Sequence, residues 1–148
     1  MKGFELEGRW HAVCRGPDGE IKDERKGHNV VCTNGKEFLA SFLSSAAAGA
    51  ATFVMRYVGV GTDATAEAAA NTTLGAQVNR LSGIVSYVSN QIYQVKCTFA
   101  AGSATGAIAE YGLFSTLTAG TMLSRDTEAV INVSAGDSLE VTVQVTIA

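Results

Sequence analysis

Proline is almost missing from this chain. Pro17 is the only one among 148 residues, and it sits in the turn signal Gly16-Pro17-Asp18-Gly19. No candidate strand is therefore interrupted by a residue that cannot donate to a hydrogen-bond ladder. Charge is scarce as well: 17% of residues are charged, against roughly 25% in average soluble domains. No apolar run approaches the ~18 residues of a membrane helix, so no membrane partner is expected. Met1-Lys2-Gly3-Phe4-Glu5 shows no apolar signal region, and synthesis in a cytoplasm is the expectation.

Cysteine and histidine are too few and too scattered for most site chemistry. Cys14, Cys32 and Cys97 are odd in number and widely spaced. They make no disulfide framework, and reduced, partly buried thiols are expected. The only metal-like set is His11 and Cys14 with His28 and Cys32. A spacing of three puts His11 and Cys14 on opposite faces of a strand, and no Cys-x2-Cys knuckle exists. Catalytic patterns are equally thin: no serine lies in Gly-x-Ser-x-Gly. Gly59-Val60-Gly61 lacks the third glycine of a dinucleotide loop, since Ala64 stands there, and reads as a tight turn. Glu110, inside an apolar strand, is the most interesting acid, because a carboxylate there could be catalytic if buried and raised in pKa. A structural pair with Arg80 or Arg125 is the expected reading, because buried acids are usually paired. No catalytic, cofactor-binding or metal residue is assigned, no cofactor is expected, and the chain is not expected to be an enzyme.

The few charges are unevenly spread. Residues 1–37 hold seven of the 11 basic and seven of the 14 acidic residues, and the net charge is −3. Lys22, Arg25 and Lys26 alternate with Asp23 and Glu24, so no basic face is evident and direct nucleic-acid binding is not expected.

What the chain has in quantity is alternation. Leu139, Val141, Val143, Val145 and Ile147 share one parity; Ser138, Glu140, Thr142, Gln144 and Thr146 share the other. A period of two over ten residues is a half-buried strand. With Ala129–Val133 across Ser134-Ala135-Gly136-Asp137 it reads as a hairpin. Further strands are predicted at Phe4–Val13, Glu20–Arg25, Phe53–Val60, Ala107–Ser115 and from Met122, with Ile84–Ser89 and Ile92–Ala100 as a hairpin. Leu74–Arg80 reads as a turn or short strand, and residues 61–72 as a surface loop. Helical spacing occurs once: Thr33 or Asn34 caps, and Phe38, Leu39, Phe42 and Leu43 recur on one face, for a helix over 35–47. The whole predicts a single all-β domain over residues 1–148 with one α-helix. Its architecture is an antiparallel, jelly-roll-like β-sandwich. The charged N-terminal segment, 1–33, is expected to serve as an arm or outer strand.

Several short motifs in order carry a resemblance. They are the tryptophan-bearing first strand, Asn34-Gly35 before the helix, Gly59-Val60-Gly61-Thr62, Thr73-Leu74-Gly75 with Arg80, and Ile108-Ala109-Glu110-Tyr111-Gly112-Leu113-Phe114. Gly120-Thr121-Met122-Leu123-Ser124-Arg125 and Ala135-Gly136-Asp137-Ser138-Leu139 complete the series. Over roughly residues 4–147 the chain resembles structural proteins of tailed bacteriophages. Within that group it is similar to jelly-roll capsid decoration (cement) proteins and to related tail or fibre-associated proteins. The resemblance implies a virion protein, made in the host cytoplasm and placed on the capsid surface. There, as a homo-oligomer (dimer or trimer), it would bind the major capsid protein and stabilise contacts between its subunits. The alternative is a tail, baseplate or fibre module binding a tail partner or a host glycan, with Tyr87, Tyr93 and Tyr111 as candidate sugar-stacking aromatics.

Overall fold

The computed structural model of the chain describes residues 6–37, 54–89 and 92–147. Nine strands follow one another: β1 (Leu6–Arg15), β2 (Ile21–Val31), β3 (Tyr57–Gly61), β4 (Gln77–Ser82), β5 (Ile84–Ser89), β6 (Ile92–Phe99), β7 (Gly106–Phe114), β8 (Met122–Val133) and β9 (Ser138–Ile147). They form one sheet in the order β4-β3-β7-β8-β2-β1-β9-β6-β5, antiparallel at every join. The two edge strands, β4 and β5, are consecutive in sequence and separated only by Gly83. The Gly83 N–H donates to the Arg56 carbonyl at 2.7 Å, and Cys97 Sγ lies 3.9 Å from the Leu81 carbonyl oxygen. The sheet is therefore nearly closed and barrel-like.

The all-β, antiparallel expectation holds. In place of a jelly-roll-like sandwich of two sheets, hydrogen bonding runs through a single sheet. The join is β2. Most of it pairs with β1, and its last two residues, Val30 and Val31, pair with Arg125 and Ser124 of β8. A strand that bends from one neighbour to another carries the ladder round a corner that two separate sheets would leave open.

Alternation predicted the buried faces. Trp10, Ala12 and Cys14 of β1 are buried, and so are Val95, Cys97 and Phe99 of β6 and Leu139, Val141, Val143 and Val145 of β9. They share one core with Val58 and Val60 of β3, Ile108, Tyr111 and Leu113 of β7, and Leu123, Ile131 and Val133 of β8. Each such aliphatic side chain contributes about 1.5–3 kcal/mol relative to exposure.

Three expectations are corrected. The turn at Ser134–Asp137 forms, with the Asp137 N–H donating to the Ser134 carbonyl at 3.0 Å. It does not close a hairpin, because β9 pairs with β1 and β6 while β8 pairs with β7 and β2. Of the charged segment read as an arm or outer strand, the described residues form β1 and β2 between β9 and β8; β1 is paired along both sides, and β2 is joined to β8 through Val30 and Val31. Gly59 and Gly61 stand inside β3 rather than in a tight turn. A Cβ at Gly59 would come within 2.9 Å of the Phe114 ring, and one at Gly61 would strike the Glu110 carboxylate.

Other boundaries shift modestly. β2 runs on to Val31, past the Arg25 end predicted for it, and β8 joins Met122–Arg125 to Ala129–Val133. Residues 33–37 are helical; the rest of the helix expected over 35–47 lies outside the described residues. Among the described residues no helix is long and apolar enough to cross a membrane.

Candidate functional site

Glu110 is fully buried, and its partner is Arg125 rather than Arg80. Arg125 Nε donates to Glu110 Oε2 at 3.0 Å and its terminal nitrogen lies 2.9 Å from the same oxygen. The backbone N–H groups of Gly75 and Ala76 donate to the Glu110 carboxylate at 2.9 and 2.7 Å. Arg125 in turn donates to the Thr65 carbonyl and Asn71 Oδ1, each at 3.1 Å, and to Asp63 Oδ2 at 3.2 Å. Among the described residues, the pair's other side-chain polar contacts run to the 62–76 loop, which it fastens over the outer side of β3, β7 and β8. A carboxylate that takes two bonds from a guanidinium and two from backbone N–H groups has no free lone pair for acid–base work, so the group is a structural pin. Gly75 belongs to the same device, since a Cβ there would strike the Asp63 carboxylate.

Arg80 does a parallel job elsewhere. Its guanidinium carbon sits 3.3 Å from the Phe114 ring centroid. It donates to Gln77 Oε1 and to the Thr116 and Ala119 carbonyls at 3.2 and 2.9 Å. This cation–π contact and the carbonyl bonds tie the β7–β8 connection to β4.

Inside the barrel, one seam is polar. Asp126 of β8 is the cross-strand neighbour of Tyr111, and the Tyr111 ring stacks on Trp10 at 4.6 Å between centroids. Asn29 Nδ2 donates to Ser124 Oγ at 2.7 Å. Among the described residues the buried side-chain atoms lacking a partner are Trp10 Nε1, Asn29 Oδ1, Tyr111 Oη and Asp126 Oδ2. All four belong to β1, β2, β7 and β8, around the join where β2 meets β8 through two residue pairs. Burial, then the neighbouring Glu67 and Glu128 carboxylates, push the Asp126 carboxyl up to about 8. Burial also raises the Tyr111 phenol, with Asp126 adding to the shift.

The four residues weighed as zinc ligands are dispersed. His11 Nε2 is 2.7 Å from Glu24 Oε1 on the outer surface, whereas Cys14 is buried on the opposite face of the same strand. Cys32 packs with Leu74, Phe114 and Met122, and His28 is exposed on β2. Among the described residues no three His, Cys, Asp or Glu side chains are grouped to hold a metal ion. Cys14, Cys32 and Cys97 are free and buried. Burial raises all three thiols, Cys97 to about 11. Thiolate being the reactive form, none of the three is expected to react with a thiol-exchange dye at neutral pH until denaturant is added. Rapid labelling of the native protein would show that one of these strands opens readily.

Two surfaces remain for partners. One is the outer face of β9, β1 and β2, where Arg9, His11, Lys26, His28, Thr142 and Gln144 line a shallow concavity of about 450 Å³. The other is β5, an edge strand paired only with β6. Ile84 is 76% and Tyr87 73% exposed, with Val85 and Val88 also open. Of the three tyrosines considered for sugar stacking, Tyr111 is core and Tyr93 is half-buried; Tyr87 alone is exposed. Sequence reading missed both surfaces. The signal for the edge was available in Ile84–Ser89, a strand without a single charge.

No protein-family model, no curated protein and no solved structure matches this chain.

Proposed function

We propose that the chain is a structural assembly protein, specifically a capsid decoration protein of a tailed bacteriophage. As a homo-oligomer it docks on the major capsid protein and holds neighbouring coat subunits together. The observation that carries this reading is β5. Natural edge strands are normally blunted with charges or proline to prevent pairing. β5 has neither, and it exposes Ile84 and Tyr87 almost fully. Such an edge is suited to being covered by a neighbour in an assembly. The charged groups buried under the loops support the reading from the other side, since Glu110, Arg125 and Arg80 are spent on loop anchorage. Each docked copy would add its interfaces to those that must break before the shell opens, and many copies on one lattice reinforce one another.

Electron microscopy of particles carrying the protein tests this directly. Density on the shell is expected, and shells lacking the protein should rupture at lower temperature. Tyr87→Lys should leave the melting temperature of the isolated protein within about 2 °C, as surface substitutions do, yet strip it from shells. Density confined to the tail would replace this reading with the tail or fibre module, for which Tyr87 is the exposed aromatic among the described residues. Equally robust shells without the protein would end the decoration reading.

A further inference from the structure

The mixed charges of the N-terminal segment are sorted by the register of the sheet. On the outer face, Gln94, Gln144, Arg9 and His28 line up across β6, β9, β1 and β2 as one row. Lys96, Thr142, His11 and Lys26 form the next row. These two rows contain no carboxylate. The row beyond them carries Glu140 and Glu24 on either side of Val13, and Glu7 stands on the opposite flank. The alternating Lys-Asp-Glu-Arg-Lys sequence is thus divided. Lys22, Glu24, Lys26 and His28 have one parity, whereas Asp23 and Arg25 have the other and bond to each other.

We infer that this band is a docking site for a carboxylate-bearing segment of a partner protein, lying across β9, β1 and β2. Three observations carry it. Arg9 opposes His28 and His11 opposes Lys26 across the β1–β2 pair, so each cation stands beside an imidazole that can donate a hydrogen bond to the same anion. Two carboxylates are bonded to the band from its flank, Glu24 reaching His11 at 2.7 Å and Lys26 at 3.1 Å and Glu140 reaching Lys96 at 3.1 Å, which leaves Arg9 and His28 without an acidic partner among the described residues. The concavity of about 450 Å³ lies over these side chains, and Thr142 and Gln144 offer its floor neutral hydrogen-bonding groups for a peptide backbone.

The dimensions select the partner. With strands about 4.8 Å apart and alternate residues about 6.8 Å apart along each, the band is two residues wide and flanked by acids. It accommodates one or two carboxylates. A polyphosphate chain running farther along the strands would meet Glu7, Glu24 or Glu140. This inference rests on the assembly reading only for the partner's being a protein, and its test uses no shells, so the two fail separately.

The test is fluorescence anisotropy of the full chain with labelled hexaglutamate peptide, and in parallel with labelled oligothymidylate, at about 20 mM and about 300 mM salt. Saturable binding of hexaglutamate at low salt is expected, weakening at high salt. Arg9→Glu should lower the affinity about tenfold or more, and Arg56→Glu, an identical charge change on the exposed stretch before β3, less than about twofold. Arg9→Gln, a milder change at the same exposed site, should give an intermediate loss and serves where the reversal impairs folding. Absence of saturable binding, or equal losses in the Arg9 and Arg56 variants, would overturn the site. Tighter binding of oligothymidylate, lost with Arg9→Glu, would overturn the assignment of a protein partner in favour of nucleic acid.

Discussion

Glu110→Ala is expected to lower the stability of the fold by about 3–5 kcal/mol, the range for breaking one side of a buried ion pair. Both partners are out of water: Arg125 is 2% exposed and Glu110 not at all. Removing the carboxylate leaves the buried guanidinium only the partly exposed Asp63 as a carboxylate partner and leaves the Gly75 and Ala76 N–H groups without their acceptor. Arg125→Ala should cost a similar amount for the converse reason. Glu110→Gln should be milder, because the amide oxygen can still accept from backbone donors. The cycle is completed with Glu110→Leu combined with Arg125→Met. That double variant should be less destabilised than the sum of its single changes, since two apolar groups leave no charge uncompensated. Urea unfolding measures each. Limited proteolysis adds a local readout: cleavage within 62–76 should accelerate in the single variants before global unfolding does. A loss below about 1 kcal/mol in Glu110→Ala, with the loop still protected, would show that the pin is dispensable.

The second large effect is on pH dependence, through Asp126. In the unfolded chain its carboxyl loses its proton near 3.8, and in the folded barrel it keeps it to about 8. Between those values the folded state binds the additional proton. Stability should therefore fall as pH rises through this window and level off above about 8. The groups acting on Asp126 are Trp10 from β1, Tyr111 from β7, Glu67 from the 62–76 loop, and Glu128 and the Thr127 backbone on β8 itself. None supplies a cation that would hold the ionised form. Asp137, Asp63 and Glu24 act in the opposite sense, their carboxyls being held below the ordinary values by Lys22, by the Thr65 backbone and by Lys26. Their contributions are present above the unfolded values and lost only as pH falls toward their folded ones. The pH optimum of stability should accordingly lie near about 5. Asp126→Asn should flatten the decline between pH 5 and 8 and stabilise the protein at pH 8 by an amount on the order of 2–4 kcal/mol. Denaturant midpoints across pH, for wild type and variant together, decide it. A wild-type profile that is flat or rising between pH 5 and 8 would mean that Asp126 is ionised in the folded barrel.

Much of the chain's architecture was readable in one dimension. The alternation of Leu139 to Val145 named the buried side of β9 residue by residue. Gly16-Pro17-Asp18-Gly19 marked its turn, with Gly19 at φ 86°. Ile84–Ser89 and Ile92 onward appeared as the paired strands β5 and β6. Glu110 stood out because an acid in an apolar strand must be paid for by a partner, and Arg125 was one of the two proposed.

Pairing was a different matter. Side-chain parity states which way a residue points, but it is silent about which strand lies alongside. So β8 and β9, joined by a good turn, were read as neighbours, although they belong to separate stretches of the sheet. Ladder hydrogen bonds are alike for every strand pair, and the choice among them was made by closing one core. The same limit hid the cationic band on β1 and β2. Read along the chain, its charges cancel; only cross-strand register gathers Arg9, His11, Lys26 and His28 on one side and puts Asp23 and Arg25 on the other. It also hid the polar seam, since Trp10, Asn29, Tyr111 and Asp126 come from four strands that share nothing in sequence. Composition and periodicity by themselves determined that this chain makes an antiparallel all-β domain, because each strand's buried face is a local property. The order of the strands, the near closure of the sheet and the grouping of its charges were decided by tertiary structure, because they depend on contacts between residues far apart in the chain.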